Sequence, residues 1–184
     1  MQRNGLIMLT VALLAGCSGI TVSQDYEPTT NFESLRTFAW SSETQENTGD
    51  PRIDNPLRVA RIRAAVERLL ADKGFLPATV DAPGFLIRYQ ETLRRKIESD
   101  GAGGGIGFGI GSYGRHGGIA IGTGGTVREY EAVSLVIDVT DATGALLWRG
   151  TGTQRFREYD DPAKATEDID ALVAKILEQF PPQS

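Results

Sequence analysis

VSLVIDVTDATGALLWRGTG, running from Val133 to Gly152, is written as two strands and the turn between them. Val133, Leu135, Ile137 and Val139 recur every second residue, the period at which side chains share one face of a strand. Asp141-Ala142-Thr143-Gly144 has Asp at its first position and Gly at its fourth, which suits a type I turn. The chain then returns through Leu146 and Trp148 to Gly150 and Gly152, with Arg149, Thr151, Thr153 and Arg155 on the other side. Two glycines in the inward phase of a strand mark a place where a helix comes close to the sheet backbone, because a side chain there would hold it off.

Upstream, Pro83-Gly84 opens a strand in which Phe85, Ile87, Tyr89 and Leu93 point one way and Arg88, Gln90, Thr92 and Arg94 the other. Three strands that alternate apolar with polar describe a sheet covered on one face and wet on the other. Two amphipathic helices supply the cover. The first starts at Asn55-Pro56, a good cap followed by a good first residue. It carries Val59, Ile62, Val66, Leu69 and Leu70 as one stripe and stops at Gly74. The second starts at Asp161-Pro162, carries Ile169, Leu172, Val173, Ile176, Leu177 and Phe180, and ends at Pro181-Pro182. Leu35 to Trp40 reads as a strand and Ser41 to Asn55 as loop. The expected fold is α+β: a two-layer sandwich with a mainly antiparallel sheet and two helices on one face, in the order β-α-β-β-β-α. A short extra strand fits at Ile20–Val22.

The amino terminus sets the address. Arg3 precedes an apolar run, Leu6 to Ala15, about half the ~20 residues a spanning helix needs. Charge, apolar run and small residues before a cut site are the parts of a secretory signal peptide. The run ends in Leu14-Ala15-Gly16-Cys17, which resembles the lipobox of bacterial lipoproteins, and that resemblance implies lipidation of Cys17. The division expected is therefore signal peptide 1–16, lipidated cysteine and tether 17–30, and a single domain 31–184 with a glycine-rich loop at 101–125. Cys17 is the sole cysteine, so no disulfide is available and the core must hold the fold. Without Arg3 the charge falls from −5 to −6. Such a chain has no long-range attraction for nucleic acid or anionic lipid, and nucleic acid is excluded as a partner.

Few residues point to chemistry. Gly109-Ile110-Gly111-Ser112-Tyr113-Gly114 matches the dinucleotide pattern formally, but glycines through Gly125 leave no helix to follow it. No cofactor is expected. The one histidine, His116, lies in the same loop with no second histidine or free thiol to join it, so no metal site or catalytic residue is assigned. The loop alternates Gly with Ile106, Phe108 and Ile110, then carries Ile119 and Ile121, and it joins two long strands. Asp138, Asp141, Asp160 and Asp161 have simple roles at a turn and a helix start. Trp40 and Trp148 are read as core. Arg88, Arg94, Arg149 and Arg155 fall on the wet side of the sheet and form a candidate binding face for an envelope protein or an anionic envelope component.

The chain also resembles a family catalogued as domain of unknown function 4136, found in bacterial envelope lipoproteins. The matching pieces are Asp25-Tyr26-Glu27-Pro28, Asn31-Phe32, Arg36 to Trp40, Arg61-Ile62 through Lys73-Gly74-Phe75, Val136 to Val139, Leu147 to Thr151, and Phe180-Pro181-Pro182. The resemblance implies a fold and an address and offers no activity or site residues to carry over. The expectation is a lipoprotein of the outer membrane on its periplasmic side, attached through acyl chains on Cys17. Ser18 in place of an inner-membrane retention aspartate supports the outer membrane. The domain reads as a binding or structural module without catalysis. The alternatives are a small periplasmic hydrolase using carboxylates, or an accessory component of a secretion or pore complex.

Overall fold

The computed structural model describes residues 19–42, 47–79, 82–99 and 127–182. Cys17, His116, the Gly109–Gly114 motif and the whole glycine-rich loop lie outside those residues. Six strands form one sheet: β1 Thr21–Tyr26, β2 Thr37–Trp40, β3 Leu76–Pro77, β4 Phe85–Ser99, β5 Val127–Thr140 and β6 Leu146–Arg155. Their spatial order is β1-β6-β5-β4-β2-β3. Helices α1 (Pro56–Asp72) and α2 (Pro162–Leu177) pack against each other over one face. This is the expected α+β arrangement, with β1 and β3 added at the edges.

Both helix starts form as their sequences dictate. The Asn55 side chain accepts from the Leu57 N–H at 2.9 Å, and the Asp161 side chain from the Ala163 N–H at 2.9 Å. Each satisfies a backbone donor that has no partner within the helix. Gly74 adopts φ +87°, the left-handed conformation that ends α1 at no steric cost. The inward stripes are Ile62, Ala65, Val66 and Leu70 on α1, and Ile169, Leu172, Val173, Ile176 and Leu177 on α2. They meet Phe85, Ile87, Val133, Leu135, Ile137, Val139 and Trp148 from the sheet. Full burial of each large apolar side chain contributes about 1.5–3 kcal/mol.

The glycines of β6 stand under α2. A Cβ on Gly152 would lie 2.7 Å from Ile176 Cγ1 and 2.8 Å from Leu172 Cδ1, and one on Gly150 would fall on Ile176 and the Trp148 ring. Phe180, expected on α2, instead follows the helix and turns back into the core. Its ring centroid lies 5.1 Å from Trp148, 5.3 Å from Phe75 and 5.9 Å from Phe85.

Several expectations need correction. Residues 21–26 are no tether: β1 pairs antiparallel with β6 from Thr21↔Thr153 to Tyr26↔Trp148. Its polarity follows from its edge position, where only Val22 is partly buried. The strand around Leu35–Trp40 is shorter, Thr37–Trp40, and pairs in parallel with both β3 and β4. The sheet is therefore mixed. The long ladders β4–β5, β5–β6 and β6–β1 are antiparallel, while β2 and β4 enter in parallel because α1 carries the chain across between them. The described residues of 41–55 hold no helix or strand, as expected, and Ile53 is buried among them.

Candidate functional site

Register now places the four candidate arginines. The antiparallel ladders set Arg88 on β4, Asp138 on β5 and Arg149 on β6 in one row, with Asp25 of β1 beyond Arg149. Directly opposed residues share a face, so the row reads negative, positive, negative, positive from β1 to β4. Arg149 Nε and Nη2 donate to Asp138 Oδ1 and Oδ2 at 2.6 and 2.8 Å, and Arg88 Nε donates to Oδ2 at 3.0 Å. Asp138, only 4% exposed, is held between them. Its hydrogen bonds also push the Arg149 guanidinium further up from its ordinary value. The turn role expected for Asp138 is wrong: it lies within the β5 ladder, paired with Arg88 and Arg149. Asp141 alone serves the turn, accepting from Thr143 and Ala145 N–H groups at 2.8 and 3.0 Å.

The other two arginines form a second row, Arg94–Ala132–Arg155. Six residues of strand separate it from the first, about 20 Å. The expected face is thus real in orientation but divided: Arg88 and Arg149 share an aspartate, while Arg94 and Arg155 flank an alanine. Between the rows stand Gln90, Thr92, Ser134, Val136, Thr151, Thr153, Thr21 and Ser23, a flat strip rich in hydroxyls. Thr153 Oγ1 donates to Ser134 Oγ at 3.2 Å within it.

Beyond the second row β6 stops, yet β4 and β5 continue as a pair from Arg95↔Glu131 to Ser99↔Val127. On the same face as Arg94, this two-stranded arm carries Lys96 opposite Tyr130 and Glu98 opposite Arg128. The Arg155 guanidinium lies 4.4 Å from the Tyr130 ring centroid, a cation–π distance.

A further polar cluster, which sequence reasoning missed, lies on the helix-covered face. Arg58 of α1 grips Glu91 of β4 with both ends of its fork, Nε and Nη2 donating at 2.8 and 2.7 Å. Glu91 is 1% exposed. Arg52 bridges Asp50 and Glu131, with Nη1 and Nη2 donating to Glu131 at 2.7 and 2.9 Å. These bonds hold the Asp50 carboxyl down at about 2 and the Glu131 carboxyl below its ordinary value. Arg52 and Arg58 both lie over Phe156, 5.2 and 5.8 Å from its centroid. Next to them, burial first and the Glu91 charge second push the Tyr89 hydroxyl up to about 12. Trp40, expected in the core, stands at the border of this cluster, donating to Glu67 at 2.7 Å under the Arg63 guanidinium. The signal was present: Glu91 occupies the inward phase of Phe85, Ile87 and Tyr89, and Arg58 precedes Ile62 by one helical turn.

Among the described residues, no group of three or more His, Cys, Asp and Glu converges as a metal-ligand set. No helix among them is long and apolar enough to cross a membrane. A shallow open groove of about 460 Å³ lies between the helices, lined by Leu57, Ala60, Ala64, Arg61, Arg68 and Asp170.

The chain belongs to the family described as domain of unknown function DUF4136, which matches residues 22–182. No curated protein matches it in sequence. Among solved structures it is similar to a PDZ domain protein from Parabacteroides distasonis, at 13% identity and a TM-score of 0.52. That likeness covers 90% of this chain and 37% of the other, so the chain spans little more than a third of that protein's length. It is also similar to PelC from Paraburkholderia phytofirmans, described as a dodecamer (13% identity, TM-score 0.44, 89% and 99% of the two chains). A minor lipoprotein from Acinetobacter baumannii gives 10% identity and a TM-score of 0.39, over 79% and 91% of the two chains.

Proposed function

We propose, with membership of this family as the premise, that the protein is a lipid-anchored periplasm-facing lipoprotein of the outer membrane that serves as a binding or structural module without catalysis. The observation that carries the reading is Leu14-Ala15-Gly16-Cys17 at the end of a charged and then apolar start. The fold is compatible with it. The sheet begins at Thr21, so only residues 18–20 separate the anchor cysteine from the folded domain. A domain held that close stays within a few residues' reach of the bilayer.

Two observations favour binding over chemistry. The most enclosed carboxylates, Glu91 and Asp138, are each engaged by arginine forks in salt bridges. Acid–base catalysis needs a carboxyl that can reach substrate and exchange a proton. The open sheet face, by contrast, is broad, hydroxyl-rich and bordered by cations, a surface suited to recognition. Ser18 supports outer-membrane sorting.

Mass spectrometry of the mature amino terminus tests the anchor. The expected result is a cut before Cys17 with a diacylglyceryl group on its sulfur, and an uncut precursor for Cys17→Ser. An unmodified Cys17, or cleavage elsewhere, would sink the reading.

A further inference from the structure

The β4–β5 arm and the amino terminus leave the domain at the same end. β1 runs antiparallel to β6, so its first residue, Thr21, stands beside Thr153, two residues from Arg155 and the foot of the arm. Cys17 lies four residues before Thr21 and can reach no further than about 14 Å from it. From the row of Thr21, Thr153, Ser134 and Thr92 to its last pair at Ser99, β4 extends about 23 Å. The arm therefore extends further from this row than the four-residue tether can carry Cys17.

The arm carries the chemistry that contact with a bilayer needs. By register, Arg94, Lys96, Arg128 and Arg155 share the face of the arm that carries Tyr130. Arg94 and Arg128 are exposed. Ile97, on the other side of the arm, is 70% exposed, an apolar group near the end of the described part of β4. Tyrosine, lysine and arginine are residues of the membrane interface, where an aromatic ring and an alkyl stem reach inward and the charge meets headgroups.

We infer that the β4–β5 arm is a second membrane contact, in which Arg94 and Arg128 bind the phosphates of anionic phospholipid headgroups beside the Cys17 anchor. The inference rests on the anchored reading above. It also resolves an electrostatic difficulty. The net charge of the chain, −5, gives no long-range attraction to an anionic surface, but the anchor already holds the arm there. Tethering makes the second contact intramolecular, and cations act strongly within a Debye length of the surface, about 8 Å at physiological salt. Each cation removed should lower the contact roughly fivefold, the factor equivalent to the free energy of one basic residue at an anionic membrane.

The test uses the lipidated mature protein with a nitroxide on Ile97→Cys, the only free thiol once Cys17 carries lipid. Ala142→Cys, in the turn at the opposite end of the hairpin, is the control. In vesicles of mixed phosphatidylglycerol and phosphatidylcholine, position 97 should become accessible to bilayer-dissolved oxygen and protected from an aqueous nickel complex. In pure phosphatidylcholine, or in high salt, it should return to water. Arg94→Glu with Arg128→Glu should abolish the response, and Arg94→Gln with Arg128→Gln should reduce it while keeping the circular dichroism of the wild type. Position 142 should stay aqueous throughout. Position 97 aqueous in anionic vesicles, equally lipid-exposed in both vesicle types, or unaffected by the substitutions would each overturn the inference. Flotation with neutral vesicles reads the anchor separately. A protein that floats there but keeps position 97 in water retains the anchor and loses the arm contact. One that does not float loses both.

Discussion

The open face of the sheet contains the same motif twice, with one residue changed. At one end Arg88 and Arg149 flank Asp138; at the other, Arg94 and Arg155 flank Ala132. In the first row the central carboxylate draws both guanidinium groups down onto the sheet. Three strands are tied together near the β5–β6 turn. In the second row nothing of opposite charge stands at the centre. Arg155 turns over Tyr130 instead, and Arg94 stays exposed. The same side chain is thus a cross-strand clamp beside Asp138, while beside Ala132 it makes contacts elsewhere, as Arg155 does over Tyr130, or stays exposed, as Arg94 does. Position on an exposed face does not decide which arginines recognise a partner; the residue on the adjoining strand does.

The covered face provides the extreme case. Arg58→Ala would leave Glu91 buried and unpaired, and breaking such a pair costs about 3–5 kcal/mol. Urea or thermal unfolding should show a loss of that size, and a loss below 1 kcal/mol would mean that water reaches Glu91. Asp138→Ala should cost less, about 1.5–3 kcal/mol, the worth of hydrogen bonds to a charged group, because both arginines can turn to solvent. Its headgroup response should be unchanged. A smaller prediction concerns pH. Tyr89 titrates at about 12 when folded and near 10 when unfolded. Between those values the folded state holds a proton that the unfolded state has lost, so stability falls as pH rises from 10 to 12. Tyr89→Phe should flatten that part of the stability profile. A profile unchanged from wild type would place the hydroxyl in water.

Much of this fold was legible because period two and period 3.6 are local signals. The hairpin, both helix caps, the stop at Gly74 and the close approach over Gly150 and Gly152 all follow from residues within a few positions of each other. The parallel joins of β2 were not, because a four-residue strand carries no sign of its direction. β1 was read mostly as tether because an edge strand with one partly buried residue has almost no apolar pattern. The candidate face was legible in orientation and illegible in register. Asp138 is three residues from a turn in sequence, but its partners lie 50 and 11 residues away, and the long insertion between β4 and β5 hides which residues oppose each other. The Arg58–Glu91 pair broke the expected pattern from within, a charged residue in the apolar phase of β4.

Ala132→Asp tests the central claim most directly, since it writes the first row into the second. Measured by nitroxide accessibility at position 97 in anionic vesicles, the lipid contact should fall at least roughly fivefold, as the new carboxylate draws Arg94 and Arg155 onto the sheet. Ala132 is itself buried, so the new carboxylate must be paired by the arginines to stay charged there, and the circular dichroism of the wild type should be kept. Undiminished contact in a folded Ala132→Asp protein would show that the residue between the arginines does not set their role, and the distinction between the two ends would fail.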